Sequence, residues 1–287
     1  MSDQPVAEAP QLGDVSVPEL YRSGRAKQRR SQRNRIISYV VGIAVVATVV
    51  LAGDWGKIQR LYFSPGRAKD LFPEILTIAT KNTLLYTAGA FIGGVSIGLV
   101  MAVMKMSPIR PYRWFATAYI EVFRGLPALL TIFIVGYGVP TAFGTQFPTI
   151  IGVGTAGPIA LALVAGAYLA ETLRAGVEGV PRGQLEAARS LGLSQAQTMR
   201  TVVVPQAFRL VIPPLTNELV LLLKDTALLS QLGTTAATVE LTKFGKDQFQ
   251  IDFNGTPFIA AGVMYLIITI PLTRLAAALE RKLKASR

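Results

Sequence analysis

The chain contains neither cysteine nor histidine. That excludes disulfides, thiolate metal sites, cysteine nucleophiles and every acid–base scheme that uses imidazole. No stretch of the form G-x-x-x-x-G-K-[ST] occurs, so the chain has no phosphate loop with which to hydrolyse ATP. Charge is also scarce. Only 16% of the 287 residues are charged, against about 25% in an ordinary soluble domain. Acidic residues are fewer than basic ones, 17 against 29, which leaves a net charge of +12.

What is abundant is apolar residues: 51% of the chain is hydrophobic, and the mean hydropathy is +0.43. They fall in runs, and a run of roughly 20 residues crosses a bilayer as a helix. Six such segments are expected: 36–52, one within 75–104, one within 114–139, 158–173, one starting near Phe208 and running through LVIPPLTNELVLLL, and 257–279. The second and fourth are crowded with small residues, including Gly89, Gly93, Gly94 and Gly98, and Ala165, Gly166 and Ala167. In lipid such residues let helices pack closely. The expected fold is therefore an all-α membrane protein of about six transmembrane helices. Residues 1–35 read as a disordered basic arm, with Arg22, Arg25, Lys27, Arg29, Arg30, Arg33 and Arg35, and not as a cleavable signal. Residues 281–287 read as a tail.

The basic residues set an orientation. With the N-terminus inside, the segments 1–35, 105–113, 174–209 and the tail from Arg274 hold 20 Lys/Arg, and the outside segments hold 6. The positive-inside rule fits only that arrangement. It places both termini in the cytoplasm and explains the +12 without nucleic acid.

Between the fourth and fifth segments lies EAARSLGLSQAQTMRTVVVPQ, from Glu186 to Gln206. Leu185, Ala188 and Leu191 share one helical face. Gly192 stands where a helix end favours a left-handed residue, and Ser194 with Gln197 makes a capping-box pattern. Ala196, Met199 and Val203 mark the second apolar face, and Pro205 fits its end. This is a helix–turn–helix at the membrane surface. Three readings compete: DNA recognition, an interfacial connector, and a docking element for a soluble partner. DNA is disfavoured by sparse local charge and by the spans that enclose the segment on both sides.

The residues also carry a resemblance. Glu186-Ala187-Ala188, Gly192 and Val202-Val203-Val204-Pro205 resemble the cytoplasmic EAA loop of binding-protein-dependent ABC importer permeases, with valine at 202 and 204 where that pattern has Ile and Leu. YIEVFRGLPALL (119–130), AYLAETLRAGVEGVPRGQLEAARSLG (167–192) and NELVLLLKDTALLS (217–230) resemble the permeases of the polar amino acid uptake family. The similarity runs from about Leu71 to Leu279. It implies a permease domain over 71–280 with five helices, a coupling loop at 177–208, and the helix at 36–52 as an N-terminal addition. It implies a transport subunit and not an enzyme, in the bacterial inner membrane. A separate ABC ATPase would carry ATP and Mg²⁺, and this chain would bind no cofactor or metal of its own. An extracytoplasmic amino-acid-binding protein would deliver the solute, and a second permease subunit, identical or homologous, would complete the path. Glu186, Ala187, Ala188, Gly192 and Pro205 would then couple to the ATPase.

Polar side chains within spans are expensive and serve as candidates for the solute path. They are Asn217, Glu218, Lys224 and Asp225, together with Glu121, Arg124 and Glu171. Glu121–Arg124 and Glu171–Arg174 stand at i, i+3, the spacing of a helical pair. Pro213-Pro214 and Gly125 are places where the helix could unwind and offer bare backbone groups. A zwitterionic solute wants both an anion site and a cation site, which such a set can provide. Its near balance of charge does not choose between acidic, amide and basic amino acids, and glutamate or glutamine is the expectation. The outside segment 233–256, with Glu240, Lys243, Lys246, Asp247 and Asp252, is a candidate surface for the binding protein. The remaining alternatives are an ion-coupled secondary transporter or channel and, more remotely, a DNA-binding membrane protein.

Overall fold

The computed structural model describes residues 17–150 and 153–285. Residues 1–16 of the expected arm, and the last two of the tail, lie outside them. The chain divides into two units, one ending at Ile58 and one beginning at Gln59.

The first unit is dominated by α1 (Val17–Ala52), a single helix of 36 residues. The expected disordered arm is therefore corrected from Val17 onward. No proline follows Pro18 in this stretch, and Arg, Lys and Gln are good helix formers, so the helix of the span extends through the basic residues. Its apolar part, Ser31–Ala52, is long enough to cross a membrane. It stops at Gly53, where the Trp55 indole donates to the Val50 carbonyl at 2.6 Å. The chain then enters α2 (Trp55–Tyr62).

In the second unit, α3 (Pro65–Asp70) is capped by Ser64. A wide helical turn, Ile75–Thr80, runs straight into α4 (Lys81–Met106). Then come α5 (Arg110–Gly125), α6 (Ala128–Phe133), α7 (Val139–Phe143) and a two-residue antiparallel pair, β1 (Thr149–Ile150) with β2 (Val153–Gly154). α8 (Ala156–Glu178), α9 (Arg182–Ser190), α10 (Gln195–Thr198), α11 (Val204–Asp225), α12 (Leu241–Asp252) and α13 (Thr256–Ala285) complete it.

Among the described residues, four helices are long and apolar enough to cross a membrane: Ser31–Ala52, Ile75–Met106, Ala156–Glu178 and Thr256–Leu283. The third expected segment is not straight. It bends by 107° between α5 and the helix 128–143. Leu126 and Pro127 are extended there, because proline forces its predecessor out of the helical region and brings no N–H. Counted as one span, this bent pair makes a fifth. α11, expected as a span, is not in that group; it carries Arg209, Glu218, Lys224 and Asp225. Pro213 and Pro214 do not unwind it, as the helix continues through both. The Thr216 hydroxyl donates to the Pro213 carbonyl at 2.8 Å.

The centre of this unit is the contact between α4 and α8. The glycines of α4 all face α8. A methyl group on Gly93 would stand 2.9 Å from Ala162 Cβ, and one on Gly98 would stand 2.8 Å from Leu169 Cβ and 3.1 Å from the Gly166 carbonyl. Around this seam Tyr86, Ala90, Leu161, Ala165 and Leu169 form the main core with Leu222 and Leu229. With lipid as apolar as any side chain, close backbone approach and dispersion are what hold the two helices together.

Overpacking such a seam costs about 1–3 kcal/mol. Gly98→Val should therefore lower the melting temperature of the purified protein, while Gly262→Val, where no atom lies within 4 Å, should leave it nearly unchanged. Equal melting temperatures for the two variants would contradict the seam.

Candidate functional site: a capped hairpin and a charged cavity

The polar segment after α8 folds as a hairpin of α9 and the helix that begins at α10. α9 ends in a complete Schellman motif. Gly192 N–H donates to Arg189 O at 2.9 Å, and Leu193 N–H donates to Ala188 O at 3.2 Å. Gly192 holds φ at +85°, a left-handed conformation that L side chains resist. One residue on, Ser194 Oγ accepts from Gln197 N–H at 3.3 Å, and Ser194 N–H donates to Gln197 Oε1 at 2.8 Å. This is the capping box that the spelling predicts.

The second helix does not stop at Pro205. It passes through a wide turn at Met199–Val203 into α11, and Pro205 sits in the first turn of α11. Because helix precedes it without a break, Pro205 withholds an N–H from the turn before it, and the helix is widened immediately ahead of it, at Met199–Val203. Beneath the hairpin, Val180, Val203 and Ala207 are buried with Leu185, Met199 and Leu210 packed on them. Gly176 and Gly179 meet Val211 and Leu210 of α11. The hairpin is thus fixed to the ends of both α8 and α11. Ala188 is buried; Glu186 and Ala187 are exposed, and Leu191 at the tip is 83% exposed.

A charged cluster lies at the same end of the unit. Lys105 Nζ, in the last turn of α4, is 2.6 Å from Glu171 Oε1. Arg174 bridges Glu171 at 2.8 Å and Glu178 at 2.5 Å. The Glu171–Arg174 pair expected from spacing is therefore present, and Lys105, which spacing could not pair with α8, completes it.

The other expected pair does not form: no ion pair joins Glu121 to Arg124. Arg124 lies instead over the ring of Tyr168, 5.5 Å from its centroid. Both residues line a cavity of about 390 Å³ between α4, α5 and α8, with Lys105, Tyr168 and Glu171. Here the structure gathers three of the sequence candidates, Glu121, Arg124 and Glu171.

The four candidates on α11 do not line that cavity. Asn217 and Lys224 are exposed, and Glu218 and Asp225 are half-buried. Pro214, Asn217, Leu221 and Lys224 make an exposed stripe at helical spacing. No ion pair joins any of them.

The segment 233–256 is corrected in one respect. Glu240 is not a surface group; it is fully buried. Its carboxylate caps α12 by accepting from the backbone N–H groups of Thr242 and Lys243, each at 2.6 Å, and from the Tyr265 hydroxyl at 3.1 Å. α4 grips the strand of chain before it. Asn82 donates to the carbonyls of Ala237 and Val239, and the Tyr86 hydroxyl donates to that of Thr238. Lys243 pairs with Asp247, and Asp252 with Arg67 at 3.1 Å.

Burial pushes the Glu240 carboxyl up to about 7, against the opposing pull of its hydrogen bonds. A carboxyl whose folded value lies above its unfolded value, about 4.3, stabilises the fold most when protonated. Stability should fall as pH rises from about 4.3 to about 7 and level off above that, by up to about 4 kcal/mol in all. Thermal melts of the purified protein between about pH 4.5 and 8 should show this decline and plateau, and Glu240→Gln should flatten it. An equal slope in both proteins would contradict it.

The profile of the family described as "Binding-protein-dependent transport system inner membrane component" matches residues 94–285. The chain is 34% identical over 205 residues to the probable glutamine ABC transporter permease protein GlnM of Bacillus subtilis, covering 71% of this chain and 91% of that protein. It is 35% identical over 239 residues to the L-cystine transport system permease protein TcyB of the same organism, covering 82% and 94%. A crystal structure of an amino acid ABC transporter with histidines superposes at a TM-score of 0.67 with 36% identity, over 74% of this chain and 95% of that one. With the profile spanning two thirds of its length and apolar helices built to cross a bilayer, this chain belongs to the family of binding-protein-dependent transport system inner membrane components.

Proposed function

We propose that this protein is the translocation subunit of an ATP-driven importer of polar amino acids, and that its hairpin engages a separate ATPase. The carrying observation is the hairpin: a helix turn closed by a left-handed glycine, exposed at its tip and anchored underneath to two helices of the bundle. A rigid, water-facing projection of that kind transmits force from a soluble partner into the membrane. Glu186, Ala187, Ala188 and Gly192 form it, and Pro205 starts the helix that carries the motion away.

The similarity of this chain to permeases whose names specify glutamine, arginine and cystine supports a polar amino acid as cargo. Glutamine or glutamate is the first choice. The excess of 20 Lys/Arg over 6 supports a cytoplasmic hairpin and cytoplasmic termini. ATP and Mg²⁺ then belong to the ATPase. An extracytoplasmic binding protein delivers the amino acid at the end that carries α12, and a second permease subunit faces this one across the path. The exposed stripe of α11, with Asn217 and Lys224 and with Glu218 and Asp225 beside it, is the polar surface offered to that path.

Reconstitution tests the reading. Uptake into proteoliposomes should require the ATPase, ATP and the binding protein. Uptake driven by an ion gradient without the ATPase would contradict it and favour a secondary transporter. Gly192→Val puts a β-branched residue at φ +85°, which costs roughly 1–3 kcal/mol of local strain. It should reduce uptake at least tenfold while the protein still inserts into the membrane; full uptake by this variant would remove Gly192 from the coupling role.

A further inference from the structure

The charged cavity holds more than a structural cluster. We infer that it is a binding site for a free amino acid on the side of release, where Arg124 takes the α-carboxylate and Glu121 the α-ammonium. The inference rests on the reading of the protein as an amino acid importer.

Charge accounting comes first. Four ionic groups line the cavity: Lys105, Glu121, Arg124 and Glu171. Lys105 and Glu171 neutralise each other at 2.6 Å, and Glu171 is further held by Arg174 at 2.8 Å. What remains on the wall is one cation and one anion with no ionic partner among the described residues. That is the complement of a zwitterion. Arg124 and Glu121 stand one helical turn apart on α5, close enough to be bridged by one small ligand, and they do not close on each other.

The surroundings favour the same occupant. The Arg124 guanidinium lies over the Tyr168 ring, 5.5 Å from its centroid, a cation–π contact that leaves its N–H donors for a carboxylate. Tyr168 is part of α8, one helical turn before Glu171, so the ring lies on the helix that Lys105 ties to α4. Glu171, already held by Lys105 and Arg174, is not the free anion of the wall. The cavity is open, with Glu121 and Arg124 both exposed, and its volume of about 390 Å³, at the small end of ligand pockets, accommodates one amino acid.

Depth gives the direction. Lys105 is in the last turn of α4 and Glu171 lies seven residues before the end of α8, and the hairpin follows that end. With the hairpin in the cytoplasm, the cavity sits in the half of the protein from which cargo leaves.

The test uses the complete permease–ATPase complex in nanodiscs, with radiolabelled glutamine added without binding protein. Glutamine, N-acetylglutamine (no ammonium) and glutaminamide (no carboxylate) are compared as competitors against wild type, Arg124→Gln, Arg124→Lys and Glu121→Gln. Arg124→Gln should weaken glutamine at least tenfold, the loss of one charge-assisted contact, and Arg124→Lys should recover part of it. Glutaminamide should bind wild type weakly and lose nothing further in Arg124→Gln. N-acetylglutamine should show the same pattern with Glu121→Gln, which keeps the test intact if the arginine variant does not fold. Unchanged glutamine affinity in both variants, with normal uptake by wild type, would overturn this site and leave the importer reading standing. A wild-type complex that imports none of glutamine, glutamate, arginine and cystine would overturn the importer reading and this site with it.

Discussion

The contact of α4 with α8 is what the rest depends on. Gly93 and Gly98 let two backbones approach until a single methyl group would not fit. At that distance the ends of the helices are brought into register, and Lys105 of α4 can reach Glu171 of α8. Removed from the seam, Lys105 would lose its partner in a setting where unpaired charge is costly, and Glu171 would keep only Arg174 of its own helix. Dispersion between small residues sets the geometry, and the ion cluster locks it.

From the seam the consequences run outward along α8. Gly176 in its last turn and Gly179 just beyond it seat on Val211 and Leu210 of α11. Between these helices the hairpin closes around Gly192. A push on the hairpin therefore cannot be absorbed by a floppy loop, since both of its ends continue into packed helices. At the other end, Asn82 and Tyr86 of α4 hold the segment before α12. One helix thus touches both the handle's support and the far loop, which is the physical requirement for motion at one face to be felt at the other.

Much of this was readable from local spelling. The glycine at 192, the serine at 194 and the glutamine at 197 act within five residues, and caps of that kind depend on little else. The apolar runs are similarly local. What could not be read depends on partners distant in sequence. Pro205 reads as a stop until the helix is seen to continue through it, widened in the turn just before. Pro213-Pro214 reads as a break, but packing of Val211, Val220 and Leu222 on the bundle keeps α11 helical. Glu121 and Arg124 have the spacing of a pair, and only the fold reveals that Tyr168 claims the arginine. Glu240 looks like one more solvated charge until α4, α12 and α13 close over it. From Val17 onward the basic arm differs for another reason: its charge reads as disorder, while its residues individually favour helix.

The central claim is that the hairpin is the point at which a soluble ATPase grips this membrane protein. The absence of native cysteine allows a direct measurement, with Leu191→Cys at the exposed tip and a membrane-impermeant maleimide as the probe. The account predicts labelling in inside-out vesicles and none in right-side-out ones, and loss of labelling when the ATPase is bound. Labelling from the outside, or labelling that the ATPase leaves unchanged, would contradict it.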